Sequence, residues 1–272
     1  VLFDKQYPAS VHVAGGAPGT QETDLLRPAM LVGAADAIMF SGGSAFGLDT
    51  AGGARKYLAQ RGRGFNAAGH LVPIVPSAVI FDLAESGGGF KPGVEEGYLA
   101  CQAAEKPSPA EGRVGAGAGA TVGKYLGRQH SAPGGLASRM TTLDGVSMGA
   151  LVVANCFGSV WDPALNQVVA GPAQDYLSAP AAKPAFGNTA LGVIVTSARL
   201  DAGSALRVAM MAHDGWARSV HPSHTPYDGD VIFVVSAGER EMELARVGAW
   251  AAWMIERTTV AAVSRGSNLG RR

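Results

Sequence analysis

The sequence predicts a layered α/β (α+β) sandwich, and three observations carry the prediction. Strand-like and helix-like segments alternate along the 272 residues without the regular βαβ spacing of a doubly wound fold. Hydrophobic residues make up 47% of the chain, too many for a disordered polymer and enough for a large core. The 38 glycines are about twice the average share and point to tight turns and close backbone contacts.

Taken in order, residues 11–35 hold the turn-rich Gly15-Gly16-Ala17-Pro18-Gly19-Thr20 and then the polar Gln21-Glu22-Thr23-Asp24. Residues 35–40 read as one buried strand ending in Ser41-Gly42-Gly43-Ser44. A helix follows over 45–59, with Leu48, Ala51 and Leu58 on its apolar face. Residues 71–83 are apolar but broken by Pro73 and Pro76, which suits an edge or a loop over the core more than a central strand. A short helix over 94–104 is stopped by Pro107-Ser108-Pro109. Residues 115–123 form a glycine-alanine tract ending in Lys124. Strands are predicted over 146–155, 191–198 and 230–236, and amphipathic helices over 205–220 and 240–263. There is no internal repeat and no interdomain linker, so 1–272 reads as a single domain.

Charge balances at 22 basic and 22 acidic residues, which gives no electrostatic case for nucleic acid or an anionic membrane as partner. No apolar run is long enough to span a bilayer, and no basic segment precedes an apolar signal core. A cytoplasmic protein is the expectation. The chain opens on Val1 rather than Met, so further N-terminal sequence is expected ahead of it. Cys101 and Cys156 sit among small or apolar residues, which favours buried free thiols over a disulfide or a metal site.

The stretch Phe186-Gly187-Asn188-Thr189-Ala190-Leu191 joins a Gly-Asn turn signal to a hydroxyl residue that opens an apolar, β-branched run. A turn followed at once by a strand places the Thr189 hydroxyl at a strained corner. That geometry suits attack on the preceding Asn188 carbonyl, an N→O acyl shift that cuts the chain. Thr189 would then hold its nucleophile and an amine base in one residue. Taken alone, the same tripeptide also fits an ordinary loop-to-strand junction.

Other segments are weaker by themselves. The tract ending in Gly123-Lys124 fails as a phosphate loop: Ala118 stands where a glycine is needed, and Tyr125 replaces the Mg²⁺-binding hydroxyl. Gly42-Gly43-Ser44-Ala45-Phe46-Gly47 misses the nucleophile-elbow pattern by one residue, leaving Ser44 as a helix N-cap or an active-site wall. His221 and His224 lack a third ligand motif and read as turn residues rather than metal ligands. Asp228-Gly229-Asp230 is a turn signal that can also orient cations, and Asn155 is a turn former or an oxyanion donor.

Together these segments resemble one family, the autoprocessing aminopeptidases and amidases of the L-aminopeptidase/D-esterase type. That family includes β-aminopeptidases and the nylon-oligomer (6-aminohexanoate oligomer) endo-hydrolases. The matching segments begin with Gly15-Gly16-Ala17-Pro18-Gly19-Thr20, Ser41-Gly42-Gly43-Ser44-Ala45-Phe46-Gly47-Leu48-Asp49 and Val72-Pro73-Ile74-Val75-Pro76-Ser77-Ala78-Val79-Ile80-Phe81-Asp82. They continue through the tract ending in Lys124, Ala150-Leu151-Val152-Val153-Ala154-Asn155, Gly187-Asn188-Thr189 and His224-Thr225-Pro226-Tyr227-Asp228-Gly229-Asp230. They cover nearly the whole chain in order.

The resemblance implies a four-layer αββα sandwich, shared with ornithine acetyltransferases and analogous to N-terminal-nucleophile hydrolases. It implies cleavage between Asn188 and Thr189 into an α chain of residues 1–188 and a β chain of residues 189–272, with the αβ units assembled as a tetramer. Carried over residue by residue, Thr189 is the nucleophile, with Lys124 near its amine. Asn155 holds the oxyanion or the nucleophile, Asp228 and Asp230 form an acidic pair, and Ser44 and Phe81 border the substrate. The expected substrate is a small peptide or oligoamide, and the chemistry calls for no metal or organic cofactor.

Three departures stand out. A tyrosine implicated in some relatives falls at Phe81, whose ring has no hydroxyl to offer. Threonine as nucleophile matches the nylon hydrolases rather than the serine aminopeptidases. The stretch between Asn155 and Asn188 is short by several residues. Two other classes stay open at this point: an amine transacylase using the same acyl-enzyme, and a non-enzymatic structural or binding protein.

Overall fold

The computed structural model describes residues 1–85, 89–105, 110–178 and 187–268. Its centre is a six-stranded sheet built from β1 (Leu2–Val13), β2 (Ala34–Ala37), β3 (Gly135–Leu143), β4 (Val146–Asn155), β5 (Thr189–Ala198) and β6 (Val231–Arg240). The spatial order is β3-β4-β5-β6-β1-β2, antiparallel throughout except for the parallel pair β5 and β6.

Side-chain alternation sorts this sheet into two buried faces, as the two-residue period of a strand requires. Val152, Ala154, Ala190, Ile194, Ile232 and Val234 join one core with Trp216, Val247, Met254 and Ile255. Those partners lie on helices α3 (Ala202–Ser219) and α4 (Leu244–Asn268); two further helices, α1 (Thr50–Ala59) and α2 (Val94–Ala103), belong to the far side of the molecule. Val153, Leu191, Val193, Val231, Phe233 and Val235 face the other way, onto Ala78, Ile80, Ala116 and Ala120. That second surface belongs to a small sheet of Thr20–Gln21, Ser77–Val79 and Met39–Ser41 and the loops around it. A third core, including Met39, Ala51, Ala54, Tyr57, Leu58 and Val75, joins the small sheet to α1, against which α2 packs. The layers therefore run helix, sheet, sheet, helix, the αββα sandwich.

Helix starts follow local chemistry. The Asp201 carboxylate accepts the Ser204 N–H at 2.7 Å and caps α3. Glu243 does the same for the first turn of α4, accepting from Ala245 and Arg246 at 2.8 Å each. The Glu96 side chain reaches back to the Gly93 N–H at the start of α2.

The structure corrects four expectations. The predicted strand over 35–40 is two strands parted at Ile38: Ala34–Ala37 pairs with β1, and Met39–Ser41 pairs with Ser77–Val79. Its largely apolar run, interrupted by the buried Asp36, reflects a crossing from one layer to the next. Ser77–Val79 is the central strand of the small sheet, not an edge, because both prolines fall before it and leave its ladder intact. The helix expected over 45–59 begins as a 3₁₀ turn, Ser44–Asp49, whose cap is the left-handed Gly43, so Ser44 is not the N-cap. The helix expected over 240–263 starts later, because β6 runs on to Arg240. The proposed stop at Pro107-Ser108-Pro109, and Phe186, lie outside the described residues. Among the described residues, no helix is long and apolar enough to cross a membrane.

Candidate active site

Two strand ends meet at the site. Asn155 closes β4 and Thr189 opens β5, and the sheet register pairs them directly. Both are buried. Parallel to the start of β5, the turn Asp228-Gly229-Asp230 leads into β6, with a bridge between Asn188 and Asp228. The Gly15-Gly16-Ala17 turn is pinned to this loop: Ala14 N–H and Ala17 N–H donate to the Asp230 and Asp228 carbonyls at 2.9 and 2.8 Å.

The Thr189 hydroxyl donates to the carbonyl oxygen of Asn188 at 2.5 Å. That same oxygen accepts the Gly229 N–H at 2.8 Å. Gly229 is required here, since a Cβ would stand 2.7 Å from both Thr189 Oγ1 and the Ala17 oxygen. Gly187, with φ +93°, turns the chain just upstream, and a Cβ there would run into the Phe81 ring. The peptide before Thr189 is thus polarised by a fixed backbone donor while a hydroxyl lies against it.

Lys124 is 1% exposed, which rules out a solvated surface role. Its Nζ donates to Asn155 Oδ1 at 2.8 Å and to the Asn155 carbonyl at 3.1 Å, and reaches the Gly187 carbonyl at 3.5 Å. Burial lowers its pKa from 10.5 to about 8. The glycine-alanine tract explains how the lysine arrives. Gly123 and Lys124 donate their N–H groups to Gly158 and Phe157, and Thr121 N–H donates to Asn155 Oδ1 at 3.0 Å. The Asn155 amide nitrogen in turn donates to the Phe81 and Gly187 carbonyls, both at 3.3 Å.

The two carboxylates each accept three hydrogen bonds from the protein. Asp228 accepts from Phe157 N–H, Thr225 N–H and the Thr225 hydroxyl at 3.1, 2.9 and 2.5 Å. Burial, and then the neighbouring Asp230 charge, push Asp228 up to about 6. Asp230 accepts Ala190 N–H at 2.8 Å on one oxygen and His224 on the other. Lys124 bonds carbonyl oxygens rather than these carboxylates. Cys156 lies within their field, and burial raises its thiol well above the ordinary range, so it stays neutral and is no rival nucleophile.

Ser44 and Phe81 line a cavity of about 250 Å³ with Asn188, Thr189, Pro18, Val79 and Tyr227. A larger, mainly apolar cavity of about 370 Å³, with Asp82, Glu85 and Glu96 in its wall, contains none of the five predicted catalytic residues. His221 stacks on Trp161 while His224 turns onto Asp230, so the two histidines serve different contacts. Sequence reasoning missed three contributors: Gly229 N–H, the Thr225 donors and His224. All three lie inside the segment 224–230, whose carboxylates drew attention away from their partners.

The match to the model of peptidase family S58 spans residues 1–268. An uncharacterized aminopeptidase of Mycobacterium leprae is 40% identical over 258 residues, covering 85% of this chain and 68% of that protein. A 6-aminohexanoate-oligomer endohydrolase of an Agromyces species is 30% identical over 224 residues, covering 76% of this chain and 61% of its own length. The L-aminopeptidase D-ala-esterase/amidase of Ochrobactrum anthropi, described as a variant of the Ntn hydrolase fold, superposes with a TM-score of 0.65 at 18% identity, over 96% of this chain and 74% of that one. With the family model spanning almost its full length, the chain belongs to peptidase family S58 and is an enzyme that hydrolyses amide bonds.

Proposed function

We propose that this protein is a self-processing N-terminal-threonine amide hydrolase, acting on short peptides or 6-aminohexanoate oligomers through an acyl-enzyme. One observation carries the reading: the Thr189 hydroxyl lies 2.5 Å from a carbonyl oxygen already held by the Gly229 N–H. In the precursor, Oγ1 attacks the Asn188 carbonyl carbon, the hydroxyl proton passes to a base, and the oxyanion keeps its Gly229 donor. Lys124, lowered to about 8 by burial, has a substantial neutral fraction near that pH and can serve as that base. Collapse breaks the C–N bond, the nitrogen takes up a proton, and an ester joins Asn188 to Thr189. Water hydrolyses that ester, leaving an Asn188 carboxylate and a free Thr189 amine.

The new α-amine, with an ordinary pKa near ~8, then takes the Oγ1 proton as the hydroxyl attacks a substrate amide. Asn155 is suited to the substrate oxyanion: its amide nitrogen makes two long bonds to carbonyls, and one of those, from Gly187, belongs to the segment that the cut releases. The amine leaves, and water resolves the acyl-enzyme. Asp228 and Asp230, each already accepting three protein hydrogen bonds, orient the loop rather than read a substrate ammonium group. The same family resemblance carries the proposal of a cytoplasmic tetramer of αβ units.

The purified protein should run as two chains, with N-terminal sequencing of the smaller beginning Thr189-Ala190-Leu191. Thr189→Ala lacks the attacking oxygen and should remain one inactive chain. Cleavage of that variant at the same bond sinks the self-processing account.

A further inference from the structure

The two oxygens of Asp230 face different neighbours. Oδ1 accepts the Ala190 N–H, directly after Thr189, at 2.8 Å. Oδ2 accepts both the His224 N–H at 3.2 Å and His224 Nδ1–H at 2.8 Å. His224 makes this double contact from a left-handed backbone, φ +54°, which few residues other than glycine adopt. What sets His224 apart is that it grips one carboxylate oxygen with its main chain and its side chain together.

Behind it the packing is aromatic and uncharged. The His224 ring meets His213 at 4.8 Å and Trp216 at 6.1 Å, and His213 meets His12 at 5.0 Å. His213 Nε2 faces the His12 carbonyl at 3.2 Å, which fixes the proton on that nitrogen. The titratable groups facing His224 are Asp228 and Asp230 ahead of β6, His213 on α3 and His12 on β1. Burial lowers His213 to about 3 and lowers His12 as well, so both are neutral at neutral pH. Burial opposes charge on His224 too, but its bond to Asp230 and the two carboxylate charges outweigh that and raise it.

We propose that His224 is a positioning residue for the Thr189 centre: it aims Asp230 Oδ1 at the Ala190 N–H by holding Oδ2 with its main chain and its ring, and stands its imidazole beside the paired carboxylates. The proposal rests on Thr189 as the nucleophile. Loss of the ring frees Asp230 to turn and lets the start of β5 drift. Replacing the basic ring by a neutral donor makes ionisation of Asp228 and deprotonation of the Thr189 amine harder, because the neighbouring negative charge is then less compensated.

Two variants of the full chain separate these effects. Asparagine tolerates a left-handed backbone and places an N–H donor near the Nδ1 position without charge; glycine keeps only the backbone. His224→Gly should slow precursor cleavage and lower kcat by roughly tenfold or more, with KM little changed. His224→Asn should recover most of that loss at pH 8. Its acid limb of kcat against pH should nevertheless move upward by roughly half a unit or more, which a merely structural role would not cause. If His224→Gly fails to fold, the His224→Asn pH profile decides alone. Wild-type kcat with an unmoved acid limb in His224→Asn overturns the proposal. A wild-type chain that is never cut, with an active Thr189→Ala variant, instead overturns the reading of Thr189.

Discussion

Lys124 carries an ammonium group where water does not reach, held by three carbonyl oxygens and lowered to about 8 by burial. Its folded pKa lies below its unfolded value, so between about 8 and 10.5 the unfolded chain binds the extra proton. Stability attributable to this residue therefore rises with pH across that window, as the burial penalty is relieved. Lys124→Met keeps the volume and removes the titration. Relative to that variant, the wild type should gain on the order of 2 kcal/mol between pH 7 and pH 10, read by urea denaturation at each pH. Parallel pH curves for the two proteins would show that Lys124 is not buried as a titrating group. Turnover of the variant should fall by roughly 10²-fold or more, since the base that serves precursor cleavage and the donor that orients Asn155 are both lost. The glycine-rich tract and the family resemblance both bring this lysine to the site, but neither shows how the chain delivers it. Only the ladder of Gly123 and Lys124 against Gly158 and Phe157 reveals that.

At the scale of elements, the site is a junction of strand ends, and legibility follows from that. Strands β4, β5 and β6 were readable because they are long, apolar and β-branched, buried on both faces of the central sheet. Helices α3 and α4 were readable from their periodicity. Strand β1 was not read as a strand, because Pro8 and the charged Asp4 and Lys5 interrupt its pattern while it changes partner from β2 to β6. The chemistry-bearing residues were legible as motif members, but their hydrogen-bond partners were not. Those partners depend on how the 224–230 turn closes against Asn188. That closure can be tested at Gly229. Replacing it with alanine puts a Cβ 2.7 Å from Thr189 Oγ1 and from the Ala17 carbonyl, which must displace the donor that polarises the Asn188 carbonyl. Gly229→Ala should accumulate uncut precursor, followed by denaturing electrophoresis, at a stability cost of about 1–3 kcal/mol. Processing at the wild-type rate would show that Gly229 N–H does not serve the cut.

For the whole molecule, the proposed cleavage before Thr189 would divide the central sheet between two chains. The C-terminal piece supplies β5, β6, α3 and α4, while the N-terminal piece supplies β1 to β4, α1 and α2. In the order β3-β4-β5-β6-β1-β2, the two strands of the smaller piece lie in the middle, each paired outward with a strand of the larger one. Neither piece can leave without breaking two strand interfaces and opening the core beneath α3 and α4. The cut protein should therefore stay one αβ unit in native buffer and unfold in a single transition. Unfolding then releases two chains instead of one, so its midpoint must depend on concentration. For 272 residues at about 0.7 kcal/mol each, the unfolding enthalpy is roughly 190 kcal/mol, which sets the drop in Tm at about 2–3 °C per tenfold dilution. Uncut Thr189→Ala serves as the control, because it shares any assembly of units but not the second chain. Calorimetry over two decades of concentration should show the steeper dependence in the cut form. Equal slopes for the two proteins would mean that the pieces do not separate on unfolding, or that no cut divides the sheet.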